Sequence, residues 1–255
     1  SSIVSVYNLR GFSFREYLNL KYSTDLTPVS LWEMLENPIS IASSINERVT
    51  IKENFQEYLH HGFYPFFLEN RNYSENLLKT MNMMLEVDIL LIRQIELKYL
   101  SKIRKLLYNL LGESPFTANV SQLSDEIETS RATVMNYLKY LKDARLLNLL
   151  YEDGEDFPKK PKMIYAQNTN IMHAVYPDRV DAVAEYKTFL YNALHAKHKI
   201  NAGKKEYDFL VDRNLCFKLC MGNQQWKKSK VHAISTDFET LDSGRIPIWL
   251  FGFLY

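Results

Sequence analysis

The stretch VSQLSDEIETSRATVMNYLKYLKDARLL, Val120 to Leu147, decides how the rest of the chain is read. Val120, Leu123 and Ile127 recur at i, i+3 and i+7, which places them on one face of a short helix. Ser121 is its expected N-cap, and Glu128-Thr129 reads as the turn that follows. Ser130 is the residue type that caps a second helix, in which Val134, Leu138 and Leu141 repeat at i, i+4 and i+7. Beyond it, LLNLLY and KMIYA are strand candidates joined by EDGEDFPKKP, a hairpin loop. Helix, turn, helix and two-stranded wing predict a winged helix-turn-helix over 101–166.

Outward from this module, the first hundred residues read as helices. GFSFREYL pairs Ser13 with Glu16 in a capping box, with Phe12 placed to staple onto Tyr17. SLWEMLENP repeats the box with Ser30 and Glu33, and Asn37-Pro38 ends the helix. In IKENFQEYLHHGFYPFF, His60 and His61 suit a last helical turn, and Gly62 suits the left-handed position after it. Tyr73 to about Leu111 is helical, with a break near Lys98 to Ser101. After the wing, DAVAEYKTFLYNALHAK reads as a helix. EYDFLVD and LCFKLCMG read as strands turning at Arg213-Asn214, VHAISTDFETL as strand plus short helix, and RIPIWLFGFLY as an apolar terminal strand. The expected class is α+β, divided into a helical region 1–100, the winged helix 101–166 and an α/β module 167–255.

Composition narrows the functions. The formal net charge is only +1, with 46% apolar residues, so a strongly basic nucleic-acid binder is excluded and real cores are expected. Two cysteines, Cys216 and Cys220, are too few for a disulfide framework and fit a reducing, cytoplasmic setting as packed thiols. No 18-residue apolar run and no signal peptide occur, so no membrane partner is expected. The abrupt start at Ser1 suggests a fragment. There is no G-x-x-x-x-G-K-[ST] and no G-x-G-x-x-G to cradle phosphates. His195-x-x-His198 lacks the further ligands a zinc site needs, and His60-His61 reads as a helix end, so no metal is expected.

Two constellations can carry function. Arg131, Thr133, Asn136 and Lys139 would face outward from the second helix, with side chains able to reach phosphates or base edges. Against contact with DNA stand Asp125, Glu126 and Glu128 at the turn and Glu152, Asp153, Glu155 and Asp156 at the wing tip; Lys159, Lys160 and Lys162 follow. The second constellation is basic. Nine Lys or Arg against three Asp or Glu lie between His195 and His232, interleaved with Phe217 and Trp226. Lys204, Lys205, Lys227 and Lys228 are its candidates for gripping a backbone; a solvated hairpin surface is the plain alternative.

The ordered set YNLRGFSFREYL, GFYPFF, the winged helix, KPKMIYAQNTNIMHAV, EYKTFLYNAL, EYDFLVD and IPIWLFGFLY resembles the C-terminal half of bacterial AAA-type ATPases that end in a domain of unknown function. The resemblance implies that a P-loop ATPase core stands upstream, that 1–100 is lid- or linker-like, and that ATP and Mg²⁺ belong to that core alone, leaving no cofactor here. It also implies that the last module has a PD-(D/E)XK nuclease, restriction-endonuclease-like outline. Carried over by motif, Glu185 takes the helix acid and Asp208 the strand acid, but Lys218 stands where the second strand acid belongs and Cys220 where the lysine belongs. Two carboxylates are needed to hold Mg²⁺ and a lysine to orient water, so the module is expected to be inactive, with no catalytic residue. Gln167, where relatives often carry Asp, is a further departure.

Three readings follow. The first is a non-catalytic recognition segment of an ATPase, binding double-stranded DNA through the winged helix and the inactive nuclease-like module. The second is an assembly module in which Phe63, Tyr64, Phe66 and Phe67 pack on the ATPase core, on another protein or on a second copy. The third is a divergent metal nuclease that recruits Asp212 or Asp237 beside Asp208.

Overall fold

The computed structural model describes residues 10–69, 72–92, 95–222, 230–239, 241 and 244–255, with the backbone alone at 90–92. It is an α+β protein. Helices α1 (Phe14–Tyr22), α2 (Leu31–Glu36), α3 (Pro38–Asn46) and α4 (Lys52–His61) come first. After a 3₁₀ turn at Pro65–Glu69, α5 (Tyr73–Met84) runs into a π-helical stretch, Leu85–Ile92, and α6 (Leu100–Gly112) follows. Next are β1 (Phe116–Thr117), α7 (Val120–Glu126), α8 (Arg131–Asp143), β2 (Leu147–Leu150) and β3 (Met163–Ala166). Then come α9 (Thr169–Val175), α10 (Ala182–His195), β4 (Ile200–Lys204), β5 (Tyr207–Val211), β6 (Leu215–Cys220), β7 (Val231–Ser235) and β8 (Arg245–Pro247), closed by a 3₁₀ turn at Ile248–Phe253.

Local signals set many of these boundaries. Ser13 with Glu16 and Ser30 with Glu33 form complete capping boxes. Ser130 accepts from the Thr133 N–H to start α8. The cap of α7 is Asn119, accepting from Gln122, rather than Ser121; an Asn two residues earlier meets the same need for an acceptor. Pro38 both ends α2 and opens α3, because its fixed φ suits a first helical position. Gly62 is not left-handed, with φ −109°. Its lack of a side chain matters for space, since a Cβ there would lie 2.7 Å from the Tyr58 Cα and 2.9 Å from Tyr17.

Two sheets result. The smaller has order β1-β3-β2, with Leu147 opposite Ala166 and Leu150 opposite Met163 in an antiparallel hairpin. The larger runs β4-β5-β6-β7-β8, antiparallel up to β6 and parallel from β6 to β8. The backbone N–H of Ala202 donates to the Tyr151 carbonyl at 2.7 Å, so the hairpin of the small sheet is tied to the edge strand of the large one.

The packing divides the chain otherwise than at 100 and 166. One core joins Phe14, Tyr17, Phe55 and Leu59 of the first helices to Phe189, Phe209, Phe217 and Trp249 of the C-terminal part. A second core holds the middle, from Leu77 through Ile103, Leu107, Leu123, Val134, Leu138 and Ile171 to Ala184. In α6, Ile103, Leu106, Leu107 and Leu110 form an unbroken i, i+3, i+4, i+7 stripe against it. Tyr64 packs on both cores. The terminal segment is strand only at Arg245–Pro247; the 3₁₀ turn after it buries Trp249, Leu250, Phe251 and Phe253. Such a run has no polar face to reveal its period. No short helix follows β7 among the described residues of 236–241.

Candidate functional site

Helix α8 packs on α7, on β2 and on the π-helical stretch. The turn before it bends through Glu128 at φ +51°, and the Thr129 N–H closes it on the Ser124 carbonyl at 2.9 Å. Lys102 and Lys105 of α6 donate to the carbonyls of Glu128 (2.6 Å) and Glu126 (2.7 Å), satisfying the end of α7. Val134, Leu138 and Leu141 are fully buried, so the opposite stripe, Ala132, Asn136, Lys139 and Asp143, faces outward. Arg131 and Asn136 are exposed. Thr133 is half-buried and held by Ser130, its hydroxyl 2.8 Å from the Ser130 Oγ. Lys139 is committed to Asp143, with Nζ 2.7 Å from both carboxylate oxygens.

The acidic wing loop carries its own counter-charges. Glu152 pairs with Lys162 at 2.9 Å, Glu155 with Lys159 at 3.2 Å, and Asp153 with Arg213 at 3.5 Å. Lys162, and more weakly Lys204, hold the Glu152 carboxyl below the usual range. Lys204 and Lys205, exposed at the β4–β5 turn, therefore sit beside the wing. Gly203 makes that turn possible, because a Cβ would stand 2.0 Å from the Tyr207 carbonyl oxygen. Lys227 and Lys228 lie outside the described residues, as does Trp226.

Glu185 and Asp208 do not share a site. Asp208 accepts from the Leu219 N–H at 2.8 Å and pairs with Lys187 at 2.8 Å and Lys218 at 3.4 Å. Two ammonium groups thus occupy the place a divalent cation would need. Cys220 is buried, and burial pushes its thiol up, so it is a packed thiol rather than a thiolate. Asp212 faces His198 (2.7 Å) and the Lys199 N–H (2.9 Å), while Asp237 accepts from the Glu239 N–H. Glu185 and Lys187 are two residues apart on α10 and so point to different sides of it.

Glu185 instead meets two histidines. The first turn of α9 caps the end of α4: Thr169 donates to the Leu59 carbonyl at 2.6 Å, and Asn170 donates to Tyr58 (3.0 Å) and Leu59 (2.8 Å). This docking sets His60 of α4 against His173, three residues beyond Asn170, with ring centroids 3.6 Å apart and planes at 23°. Glu185 Oε1 lies 2.5 Å from His173 Nε2. Partial burial of its ring, then the neighbouring His173, hold the His60 imidazole below its ordinary range, although the residue as a whole is exposed. The three residues offer donor atoms all within 4.8 Å of one another, the one such trio of His, Cys, Asp or Glu among the described residues. Sequence reading missed it, because only the long-range contact of α4 with α9 brings the parts together.

Compared with known proteins, residues 52–175 match a family described as a domain of unknown function (DUF8612). Those bounds run from the first residue of α4 to the last of α9, the two helices that cap one another. The chain is also similar to the uncharacterized protein MJ1637 of Methanocaldococcus jannaschii, 26% identical over 148 residues. That match covers 56% of this chain and 31% of the archaeal protein, so the chain spans about a third of its relative's length. No solved structure matches. Among the described residues, no helix is long and apolar enough to cross a membrane.

Proposed function

We propose that this chain is a non-catalytic recognition segment of a larger AAA-type ATPase, and that it binds duplex DNA through a winged helix whose reading element is α8. One observation carries the proposal: the N-terminal half of α8 presents Arg131, Ala132 and Asn136 to solvent from a rigid, capped helix. In helix-turn-helix recognition, the first turns of the second helix reach base edges. Asn can bond adenine bidentately, and Arg can take guanine or a phosphate. The wing's internal ion pairs reduce the repulsion its acids would exert. Lys204 and Lys205 add backbone contacts beside the wing. Asp208, blocked by two lysines, supports recognition without cleavage. The energy source and its ATP and Mg²⁺ belong to the ATPase core of the parent protein.

The test is binding of a labelled duplex by the chain and by Arg131→Ala and Asn136→Ala. Each variant is expected to lose about 1–3 kcal/mol of affinity if it reads a base. Unchanged binding in both overturns the assignment of α8.

A second reading, an assembly module, draws on a different surface. Met83, Val87 and Leu97 are 57%, 42% and 73% exposed around the π-helical stretch. The aromatics at 63–67 are engaged within the chain: Phe63 is buried, and Tyr64 and Phe67 pack on the first core. Sedimentation of the chain against Leu97→Lys tests this reading, which expects a dimer that the variant dissociates.

A further inference from the structure

We propose that His60, His173 and Glu185 form a binding site for one divalent transition-metal ion of the zinc class, with its remaining coordination position opening onto the adjoining cavity. The donor set comes first. Two imidazoles and one carboxylate suit Zn²⁺, Fe²⁺ or Co²⁺, whereas Mg²⁺ and Ca²⁺ seek oxygen ligands. Three different helices supply them: α4, α9 and α10. All three donor atoms already lie within 4.8 Å of one another, and about 3.4 Å separates ligands placed tetrahedrally at the usual zinc distances.

Two further observations point to a ligand. The His173 side chain is only 10% exposed, yet its Nδ1 is buried without a hydrogen-bond partner among the described residues. A buried imidazole satisfied by one carboxylate leaves its other nitrogen unexplained. In addition, a cavity of about 470 Å³ opens beside the histidines, lined by Glu57, His60, His61, Phe66, Tyr73 and His173. A three-ligand site needs such an opening for water or substrate. For the unpartnered His173 Nδ1 to take the metal, the Glu185 carboxylate leaves Nε2 and the stacked rings turn apart, since all three side chains must aim a donor at one point. The site pins α4, α9 and α10 together at the seam where the first helices meet the middle of the chain.

The experiment is a titration of the metal-stripped chain with Co²⁺, read by its visible ligand-field bands, and with Zn²⁺ by competition, with Mg²⁺ as control. The expected result is saturation at a single equivalent, with bands of a four- or five-coordinate ion and no response to Mg²⁺. His60→Ala and Glu185→Gln are each expected to weaken binding roughly 100-fold or more, at or beyond the upper end of the loss seen for outer partners of a ligand. His61→Ala, its neighbour, is expected to stay within about threefold, since it removes no ligand. His60 is exposed, so His60→Ala keeps the test sound even if Glu185→Gln fails to fold. Absence of saturable binding overturns the proposal. So does binding that survives either ligand variant in folded form, or that His61→Ala weakens as much as His60→Ala does.

Discussion

The side-chain amide of Asn170 donates to the main-chain carbonyl of Leu59 at 2.8 Å, across 111 positions of sequence. The same amide donates to Tyr58, and its oxygen accepts from the Phe63 N–H at 2.9 Å and from the Tyr73 hydroxyl. One buried side chain thus closes the end of α4, orients the segment leaving it and locks α9 in place. Helix ends buried away from water need such partners. The family match runs from the first residue of α4 to the last of α9, the two helices that this side chain joins.

Asn170→Ala is therefore expected to be strongly destabilising. It strands the Phe63 N–H, while the Leu59 and Tyr58 carbonyls each lose one donor and keep Thr169 and the Gly62 N–H, so a loss of about 1–3 kcal/mol is expected, the cost of one unsatisfied buried group. Urea unfolding measures it. A change below about 0.5 kcal/mol, the size of an ordinary surface substitution, would show that these groups find other partners.

Asp208 is a structural anion. Asp208→Ala leaves Lys187 and Lys218 facing one another and the Leu219 N–H without its acceptor, with an expected cost of about 1–3 kcal/mol. Combining it with Lys218→Met should recover part of that loss, because a stranded like charge is removed. No Mg²⁺-dependent cleavage of duplex DNA is expected. Cleavage that Asp208→Ala abolishes would favour the divergent-nuclease reading instead.

Acid should weaken the fold through His195. Burial, then Arg10 and Lys142, hold its imidazole below the ordinary value, so the folded chain binds this proton less readily than the unfolded chain. The stabilisation is complete above the unfolded value, about 6.5, and is lost as pH falls below it. His232, depressed by burial, acts in the same direction. Stability measured from pH 7.5 to 5.0 should fall for the native chain and fall less for His195→Gln. An equal slope in both would remove His195 from the account.

Much of the fold is local in origin, and that part is legible in the sequence. Ser13, Ser30 and Ser130 each announce a helix start, because a capping acceptor must lie within three residues of the N–H it serves. The apolar spacing of Val134, Leu138 and Leu141 fixes which side of α8 is buried, and so which side can meet a ligand. What is not legible depends on distant partners. No periodicity tells that Phe55 of α4 meets Phe189 of α10 edge to face at 4.8 Å, uniting the first helices with the last sheet. Spacing puts Lys139 on the outer face of α8, but Asp143, one turn on, holds it. The motif pairs Glu185 with Asp208, yet Glu185 meets His173, because a motif gives order along the chain and not direction around a helix.

The central claim is that α8 and its neighbours meet DNA, and a salt titration of duplex binding tests it most directly. Among the candidates in the described residues, with Lys139 paired, Arg131, Lys204 and Lys205 remain for phosphates, so log K should fall against log salt with a slope of about −3 or steeper, at about 0.9 per neutralised phosphate. Arg131→Ala should lower that slope by about one. No binding at low salt, or an affinity that added salt does not reduce, would contradict the account.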